Sequence, residues 1–296
     1  MQDCGIKDNK KIGGLIVAYH FDIHTMDTLI NAFKKQVAML VVVDNSDTSQ
    51  QENFIKYGES VYYLPLHENK GIAYAQNIGI KVLLENKCDF ILFSDQDSIL
   101  PVHLTESLLS SFRILKTYDK NVQGIAPSAY NKKTGKPYSY QSESLADMTV
   151  ENYQYEKVSY LMNSGALITS TAFKHAGLMD TQLFIDGVDS EWCWRASYLM
   201  NATFYVDKNI KLAHFLGIDN KRIGGREISI TPPFRMYYQY RNYIRLLKRK
   251  YVPSSWKKYN GKKYLIKLIY YPLFISPRFK YLKNISKGII SGLFNI

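Results

Sequence analysis

With 296 residues and 46% apolar side chains, the chain can bury a self-sufficient core, which excludes a disordered or fibrous protein. Cys4, Cys88 and Cys193 lie far apart without C-x-x-C spacing, so neither a disulfide framework nor a cysteine zinc site is expected. The formal net charge of +12 is unevenly spread. From Lys208 on there are 20 Lys+Arg and 2 Asp+Glu, leaving 18 and 24 for the first 207 residues, a pattern of an acidic part joined to a basic surface that meets phosphates of nucleic acid or membrane.

The opening MQDCGIKDNKKIGG lacks the apolar stretch of a secretory signal. The late apolar run Tyr264 to Ile275 is broken by Lys267 and Pro272 and falls short of the roughly 20 residues a spanning helix requires. A cytoplasmic protein that does not cross a bilayer is expected.

In chain order, Ile12 to Tyr19 (IGGLIVAY) reads as a buried strand. Thr25 to Ala38 places Leu29, Ile30, Phe33 and Val37 on one helical face, and Met39 to Val43 is a second buried strand ending in Asp44-Asn45-Ser46-Asp47. Val61 to Leu64 predicts a short strand, Ile72 to Leu84 a helix, Phe90 to Ser98 a strand, and Pro101 to Tyr118 a helix. Strands alternating with helices predict βαβ units and a mostly parallel α/β sheet. Between Asn131 and Glu156 the polar, Tyr-rich sequence reads as a loop or edge hairpin. Leu161 to Gly177 is a strand then a helix. In FIDGVDSEWCWR (Phe184 to Arg195), Asp189 or Ser190 is placed to cap a following helix. Ala202 to Val206 and Ile210 to His214 read as two short strands.

The segment with most chemistry is FILFSDQDS. Side chains alternate along a strand, so Asp95 and Asp97 leave the same side if the extended conformation reaches that point. Two carboxylates aimed at one spot repel unless a cation lies between them, and Mg2+ or Mn2+ prefers such oxygens, completed by substrate phosphates. An isolated D-x-D is otherwise a strand end with an Asx turn. Ligands of open parallel sheets bind beyond the carboxyl ends of the strands, where Tyr19, Asp44, Asp95 and Asp97 all fall.

The ordered set VAYH (Val17 to His20), VVDNS (Val42 to Ser46), NKGIAYAQNIGI (Asn69 to Ile80), SDQD (Ser94 to Asp97), FIDGVDSEWCWR and LAHFLG (Leu212 to Gly217) resembles glycosyltransferase family 2. With PPFRMYYQYRN (Pro232 to Asn242) it looks most like the bacterial rhamnosyltransferase branch, over roughly residues 10 to 250. The resemblance implies a GT-A-type sheet in residues 1–230, followed by a basic, aromatic-rich helical extension over 231–296. It also implies an inverting, metal-dependent sugar transfer from a dTDP- or UDP-sugar, L-rhamnose in particular. Asp97 would ligate Mg2+ or Mn2+, Asp95 would contact the ribose or a metal-bound water, and His214 would be a third ligand. Tyr19 would flank the base and Asp44 accept from its imide N–H, the alternative for Asp44 being an Asx turn. Asn69, Gly71 and Asn77 would lie where helix N–H groups face the phosphates, and Asn163, Ser164 and Gly165 would frame sugar and acceptor.

Family members carry Glu-Asp-x-Asp where this chain has Asp186-Gly187-Val188-Asp189, so the usual base position falls on Gly187. Asp189 or Asp186 must then serve, Asp189 being preferred and Glu191 third. Trp192 and Trp194 either line the acceptor or pack.

In the C-terminal third, Arg235, Arg241, Arg245, Lys248, Arg249 and Lys250 alternate with Tyr237, Tyr238, Tyr240 and Tyr243. Such segments suit an anionic membrane surface, where a lipid-linked polyprenyl diphosphate acceptor would bring its diphosphate to Arg235 or Arg241. The expected protein is therefore peripheral on the inner face of the cell membrane and has no nucleic-acid partner. The alternative from another class is a basic RNA-binding protein, for which Asp95 and Asp97 would be dispensable.

Overall fold

The computed structural model describes residues 10–131, 135, 144–150, 152–214, 220–223 and 226–294, with the backbone alone at 131, 214, 220–223 and 226–229. Strand β1 (Ile12–Ala18) leads to helix α1 (Ile23–Lys34), then β2 (Met39–Asp44), a 3-10 segment and β3 (Val61–Pro65). Helix α2 (Ile72–Glu85), β4 (Phe90–Asp95), α3 (Leu104–Tyr118) and β5 (Val122–Asn131) follow. Next come the hairpin β6 (Ser144–Val150) and β7 (Tyr153–Val158), then β8 (Leu167–Thr169), α4 (Ser170–Ala176), α5 (Val188–Met200) and β9 (Thr203–His214). The hairpin β10 (Asn220–Ile223) and β11 (Arg226–Ser229) precedes three helices, α6 (Pro233–Leu247), α7 (Ser254–Phe274) and α8 (Arg278–Phe294).

The large sheet has the order β3-β2-β1-β4-β8-β5-β9-β7-β6. Neighbours β3, β2, β1 and β4 are parallel, as are β5 and β9, while short β8 runs against both β4 and β5. The predicted α/β class and mostly parallel sheet are therefore observed, and the edge hairpin begins in the polar stretch expected to hold a loop or hairpin and runs two residues beyond it. Because β8 is reversed, the residues before it, 163–165, join the carboxyl ends of β1, β2, β4 and β9 along one rim.

Central β1 is buried on both faces, and its two glycines allow it. A Cβ on Gly13 would lie 2.4 Å from Leu83 of α2, and one on Gly14 would lie 2.7 Å from Phe33 of α1, so helices close on either side of the strand. One face packs Leu15, Val41, Ile80, Phe173 and Trp192 beneath α2, α4 and α5. The other packs Ile16, Ile30, Phe33, Leu108 and Leu115 beneath α1 and α3. Each such buried side chain contributes about 1.5–3 kcal/mol.

Residues 203–214 form one strand where two were predicted. Pairing with β5 jumps from Pro127–Asp207 to Ser128–Lys211. The slack is taken up around buried Asp207, which accepts from Ser111 Oγ at 2.6 Å and from the Asn209 backbone N–H at 2.8 Å. A bulge of this kind reads in sequence as a break. The last three helices have a small core of their own, Met236, Tyr240, Tyr271, Ile275, Tyr281 and Ile285. No helix among the described residues is long and apolar enough to cross a membrane.

Candidate active site

Strand β4 delivers Asp95 half-buried to the rim and stops there. Gln96 and Asp97 form a turn closed by the Ser98 N–H on the Asp95 carbonyl at 3.2 Å. The extended run needed to put both aspartates on one side is thus absent, and Asp97 is exposed beyond the turn. The residue between them has a job the sequence reading missed. Gln96 Oε1 accepts the Tyr19 N–H at 2.6 Å and its Nε2 donates to the Tyr19 carbonyl at 3.1 Å. An amide that imitates a strand neighbour fixes the backbone beyond β1, leaving the Tyr19 ring exposed and edge-on to His20 at 4.2 Å.

At the end of β2, Asp44 is buried, accepts the Ser46 N–H at 3.0 Å and receives the Tyr63 hydroxyl. The Asx turn foreseen as its alternative role is present. Burial first, and then the Asp44 carboxylate, push the Tyr63 phenol up to about 12. Nearby, Asn69 Oδ1 accepts from Asn45 Nδ2 at 2.9 Å and from the Gly71 N–H at 3.1 Å, so Asn69 and Asn45 staple the loop before α2.

The start of α2 departs from the expectation of helix N–H groups turned to phosphates. The Ile72 N–H donates to the Phe184 carbonyl at 2.8 Å, so the loop carrying Asp186 caps the helix. Asn77 is likewise engaged: its Nδ2 donates to the Met179 carbonyl at 2.9 Å and its Oδ1 accepts the Met179 N–H at 2.8 Å. Gly71 has φ of +86°, and a Cβ there would meet the Phe184 ring at 2.5 Å and its carbonyl at 2.8 Å. Gly71→Ala is expected to cost about 2 kcal/mol through backbone strain and displacement of Phe184, lowering the melting temperature by roughly 5 °C. A variant that melts with the wild type would show that this contact yields freely.

Asp189 lies in the first turn of α5, but the cap is Gly187, in the left-handed region at φ +86°. Neither Asp189 nor Ser190 caps the helix as predicted, and Asp189 is left to face the rim. Its Oδ1 accepts Asn163 Nδ2 at 2.8 Å and its Oδ2 the Asn163 N–H at 3.4 Å. Adjacent Ser164 shares a 2.7 Å hydroxyl contact with Ser98, just past β4. Burial pushes the Asp189 carboxyl up to about 7, the Asp95 charge adds to this, and the Asn163 N–H opposes it. Raised carboxyls of this sort mark acid–base sites.

The other two base candidates are occupied. Asp186 is held in a fork by Arg235, at 3.0 Å from Nε and 2.7 Å from Nη2. Glu191 is fully buried and faces Arg195, Arg249 and Tyr251. The 182–186 loop is stitched to α6: Asn242 Nδ2 lies within 2.9 Å of the carbonyls of Leu183, Ile185 and Asp186, and Arg241 Nη2 reaches those of Gln182 and Leu183. Arg235 and Arg241, expected to meet a diphosphate, are both engaged with this loop. Tyr240 is buried and donates to the Tyr264 carbonyl at 2.6 Å. The interleaved Arg and Tyr that suggested RNA binding thus include interior packing groups.

Trp192 and Trp194 both pack, donating to the Gly177 carbonyl at 2.8 Å and to Ser159 Oγ at 3.2 Å. The aromatic wall near Asp189 comes from elsewhere. Tyr160, Tyr243, Trp256 and Tyr264 line a cavity of about 290 Å3 that reaches Asp186 and Asp189.

No group of three or more His, Cys, Asp or Glu poised for a metal occurs among the described residues. The His214 side chain lies outside them, although the Ile99–Ala213 bridge brings its backbone neighbour to the segment after Asp97. A half-buried and an exposed carboxylate, Asp95 and Asp97, fit a Mg2+ or Mn2+ ion that takes one or two protein oxygens and the rest from phosphate.

Residues 15–177 match the family model of glycosyl transferase family 2. The chain belongs to that family, and it is a glycosyltransferase. This family 2 enzyme is 29% identical over 290 residues, 96% of this chain and 95% of the other, to the dTDP-rhamnosyl transferase RfbF of Shigella flexneri. Two solved structures share its fold, each at 15% identity and a TM-score of 0.54. The crystal structure of GalNAc-T7 with UDP, GalNAc and Mn2+ covers 89% of this chain and 57% of its own. That of S. aureus TarS 1–349 covers 94% and 81%.

Proposed function

We propose that the enzyme transfers L-rhamnose from dTDP-L-rhamnose, with inversion, to a lipid-linked glycan of a bacterial surface polysaccharide. The observation that carries this reading is Asp189: a raised carboxyl, anchored by Asn163 and charge-coupled to Asp95, at the mouth of an aromatic-lined cavity in a family 2 fold. The likeness to the Shigella flexneri dTDP-rhamnosyl transferase supports dTDP-L-rhamnose as the donor.

In this reading Asp189 accepts the proton of the acceptor hydroxyl as that oxygen attacks the anomeric carbon. The Asn163 side-chain amide holds Oδ1 at 2.8 Å, while its backbone N–H reaches Oδ2 only at 3.4 Å, so Oδ2 is the less engaged oxygen and takes the proton. The cavity holds the acceptor's terminal sugar ring against Trp256 and Tyr243, at the small end of the usual ligand-site range of about 300–1,000 Å3. Asp44 and Tyr19 receive the base, and Asn69 and Gly71 shape the loop beside it. Asp95 and Asp97, with His214, would hold a Mg2+ or Mn2+ ion, which when bound offsets the charge on the departing nucleotide diphosphate.

The acceptor's lipid is met by α7 and α8. Leu265, Ile266, Ile269, Leu273 and Phe279 are all more than half exposed, beside Lys262, Lys263 and Lys280. Apolar residues at headgroup depth with cations around them suit an anionic membrane surface, and the enzyme works at the inner face of the cell membrane.

The test is to incubate the full chain with dTDP-L-rhamnose, Mn2+ or Mg2+ and a polyprenyl-diphosphate-linked glycan. Sugar transfer that stops on chelation is expected, and Asp97→Ala should lose the metal-dependent part of dTDP binding. No transfer, together with dTDP binding by Asp97→Ala that matches the wild type with and without metal, would overturn the reading.

A further inference from the structure

Helix α6 has two working faces. Gln239, Asn242, Tyr243 and Leu246 border the cavity by Asp189, whereas Tyr237, Arg241, Arg245 and Lys248 look the opposite way, into a second, open recess of about 730 Å3. Arg249 completes that wall and Gln182 faces it from the loop.

The charges in this recess are not balanced. Arg249 is paired with Asp180 and Glu191. Arg241, Arg245 and Lys248 form no salt bridge with a carboxylate among the described residues. Arg241 is buried, stacked by Tyr237 and Tyr238 at 5.4 and 4.9 Å, and reaches the Gln182 and Leu183 carbonyls, the Asn242 amide and the Tyr237 hydroxyl. Arg245 reaches the Gln182 carbonyl at 3.1 Å through Nη1, while its Nε is buried with no acceptor. Burial and then the neighbouring Arg241 disfavour the Arg245 charge, against a smaller opposing pull from Tyr237 and Asp180, the latter already paired with Arg249. Gathering like charges around an unfilled donor is costly unless an anion completes the site, and guanidinium forks match phosphate oxygens.

The recess also has an apolar neighbour. Lys248 Nζ donates to the Gly292 and Leu293 carbonyls at 3.1 and 3.0 Å, tying the cationic wall to the last turn of α8. There Ile290, Leu293 and Phe294 are at least half exposed. A soluble anion has no use for such a flank; an amphiphilic one does.

We propose that the recess between α6 and the 181–184 segment is a second anion site, separate from the donor site, which binds a phosphate group carried on a lipid. It sharpens the membrane-surface part of the reading above and is independent of the donor sugar. Arg245 and Lys248 make the phosphate contacts, and the end of α8 takes the first carbons of the tail.

Binding of short-chain phosphatidylglycerol, below its micelle concentration, and of geranylgeranyl diphosphate would be measured by calorimetry on the full chain. Phosphatidylcholine of the same length and inorganic pyrophosphate are the comparisons. At least one anionic lipid should bind more tightly than either, and which does so separates a membrane headgroup from a carrier diphosphate. Arg245→Gln with Lys248→Gln should weaken that binding at least about tenfold, while Arg245→Lys with Lys248→Arg retains it. Lys81→Gln with Lys174→Gln, exposed on α2 and α4 and away from the recess and the membrane-facing helices, should leave it unchanged. Melting curves identify a variant that fails to fold, in which case the charge-retaining pair and the Lys81/Lys174 pair decide. The site is overturned if phosphatidylcholine or pyrophosphate binds as tightly as the lipid anions, if the Gln pair folds and binds like wild type, or if the Lys81/Lys174 pair loses as much. Vesicle binding through α7 would survive that result.

Discussion

Asp189→Asn is expected to lower kcat for sugar transfer by about a thousandfold while making the protein more stable. The first effect is the ordinary contribution of a positioned base, about 10²–10⁴. The amide keeps the side chain's shape, and its oxygen still accepts from Asn163 Nδ2, which now sits 2.8 Å from Oδ1. A structural role for Asp189 would therefore survive the substitution, and a proton-accepting role would not.

The stability gain follows from linkage. The Asp189 carboxyl is raised from 3.8 to about 7, by burial first and then by Asp95. The folded chain holds this proton between those values while the unfolded chain has released it, so stability falls as pH rises through the window. The amide has no such slope. The variant and the wild type should melt together near pH 3.5. By pH 8 the variant should lead by about 1–2 kcal/mol, allowing for water reaching a half-buried group, or some 3–5 °C. The same titration shapes the rate: kcat/KM rises with pH toward 7, and a divalent ion held at Asp95 would shift that limb lower by offsetting its charge. Full activity in Asp189→Asn, or an unchanged melting gap across the pH range, would remove Asp189 from the chemistry.

The parts of this molecule visible in the sequence are those governed by periodicity. The runs IGGLIVA, MLVVV and FILF lack charged or polar side chains because both sheet faces are covered, and α2 and α3 show their inward residues at helical spacing. What stayed hidden depends on partners distant in the chain. Nothing local to Gln96 says that its amide will clamp Tyr19, 77 positions away, nor that Asn242 will hold three carbonyls of the 183–186 loop. Asp186, Asp189 and Glu191 are equivalent acids within one short motif, and only the arginines distinguish them. Arg235 comes from α6 to Asp186, whereas Glu191 is met by Arg195 one turn on in α5 and by Arg249 from beyond α6. The strand end at Asp95 was missed for a related reason: the Ser98 contact with Ser164, from before β8, draws the chain around the turn.

Glu191 supplies the opposite experiment, a large loss of stability with the chemistry left in place. Its carboxylate is wholly buried. Oε1 accepts Arg195 Nε at 2.9 Å, Arg249 Nη1 at 2.9 Å and the Tyr251 hydroxyl at 2.5 Å, and Oε2 accepts Arg195 Nη2 at 3.1 Å. Arg195 in turn reaches the Ala176 and Leu178 carbonyls, and Arg249 reaches Asp180. One acid thus joins α5, the loop after α4 and the segment linking α6 to α7. Removing it from between two guanidinium groups leaves positive charge uncompensated in the interior, at a cost of about 3–5 kcal/mol. Glu191→Ala should therefore melt roughly 10 °C below wild type, and Glu191→Gln, which keeps the volume and one acceptor, should fall between them. Below the transition, kcat of the folded fraction should stay within about threefold of wild type, because Asp189 and its Asn163 anchor are untouched. A Glu191→Gln protein that melts normally yet transfers no sugar would reverse the assignment and make Glu191 the proton acceptor instead.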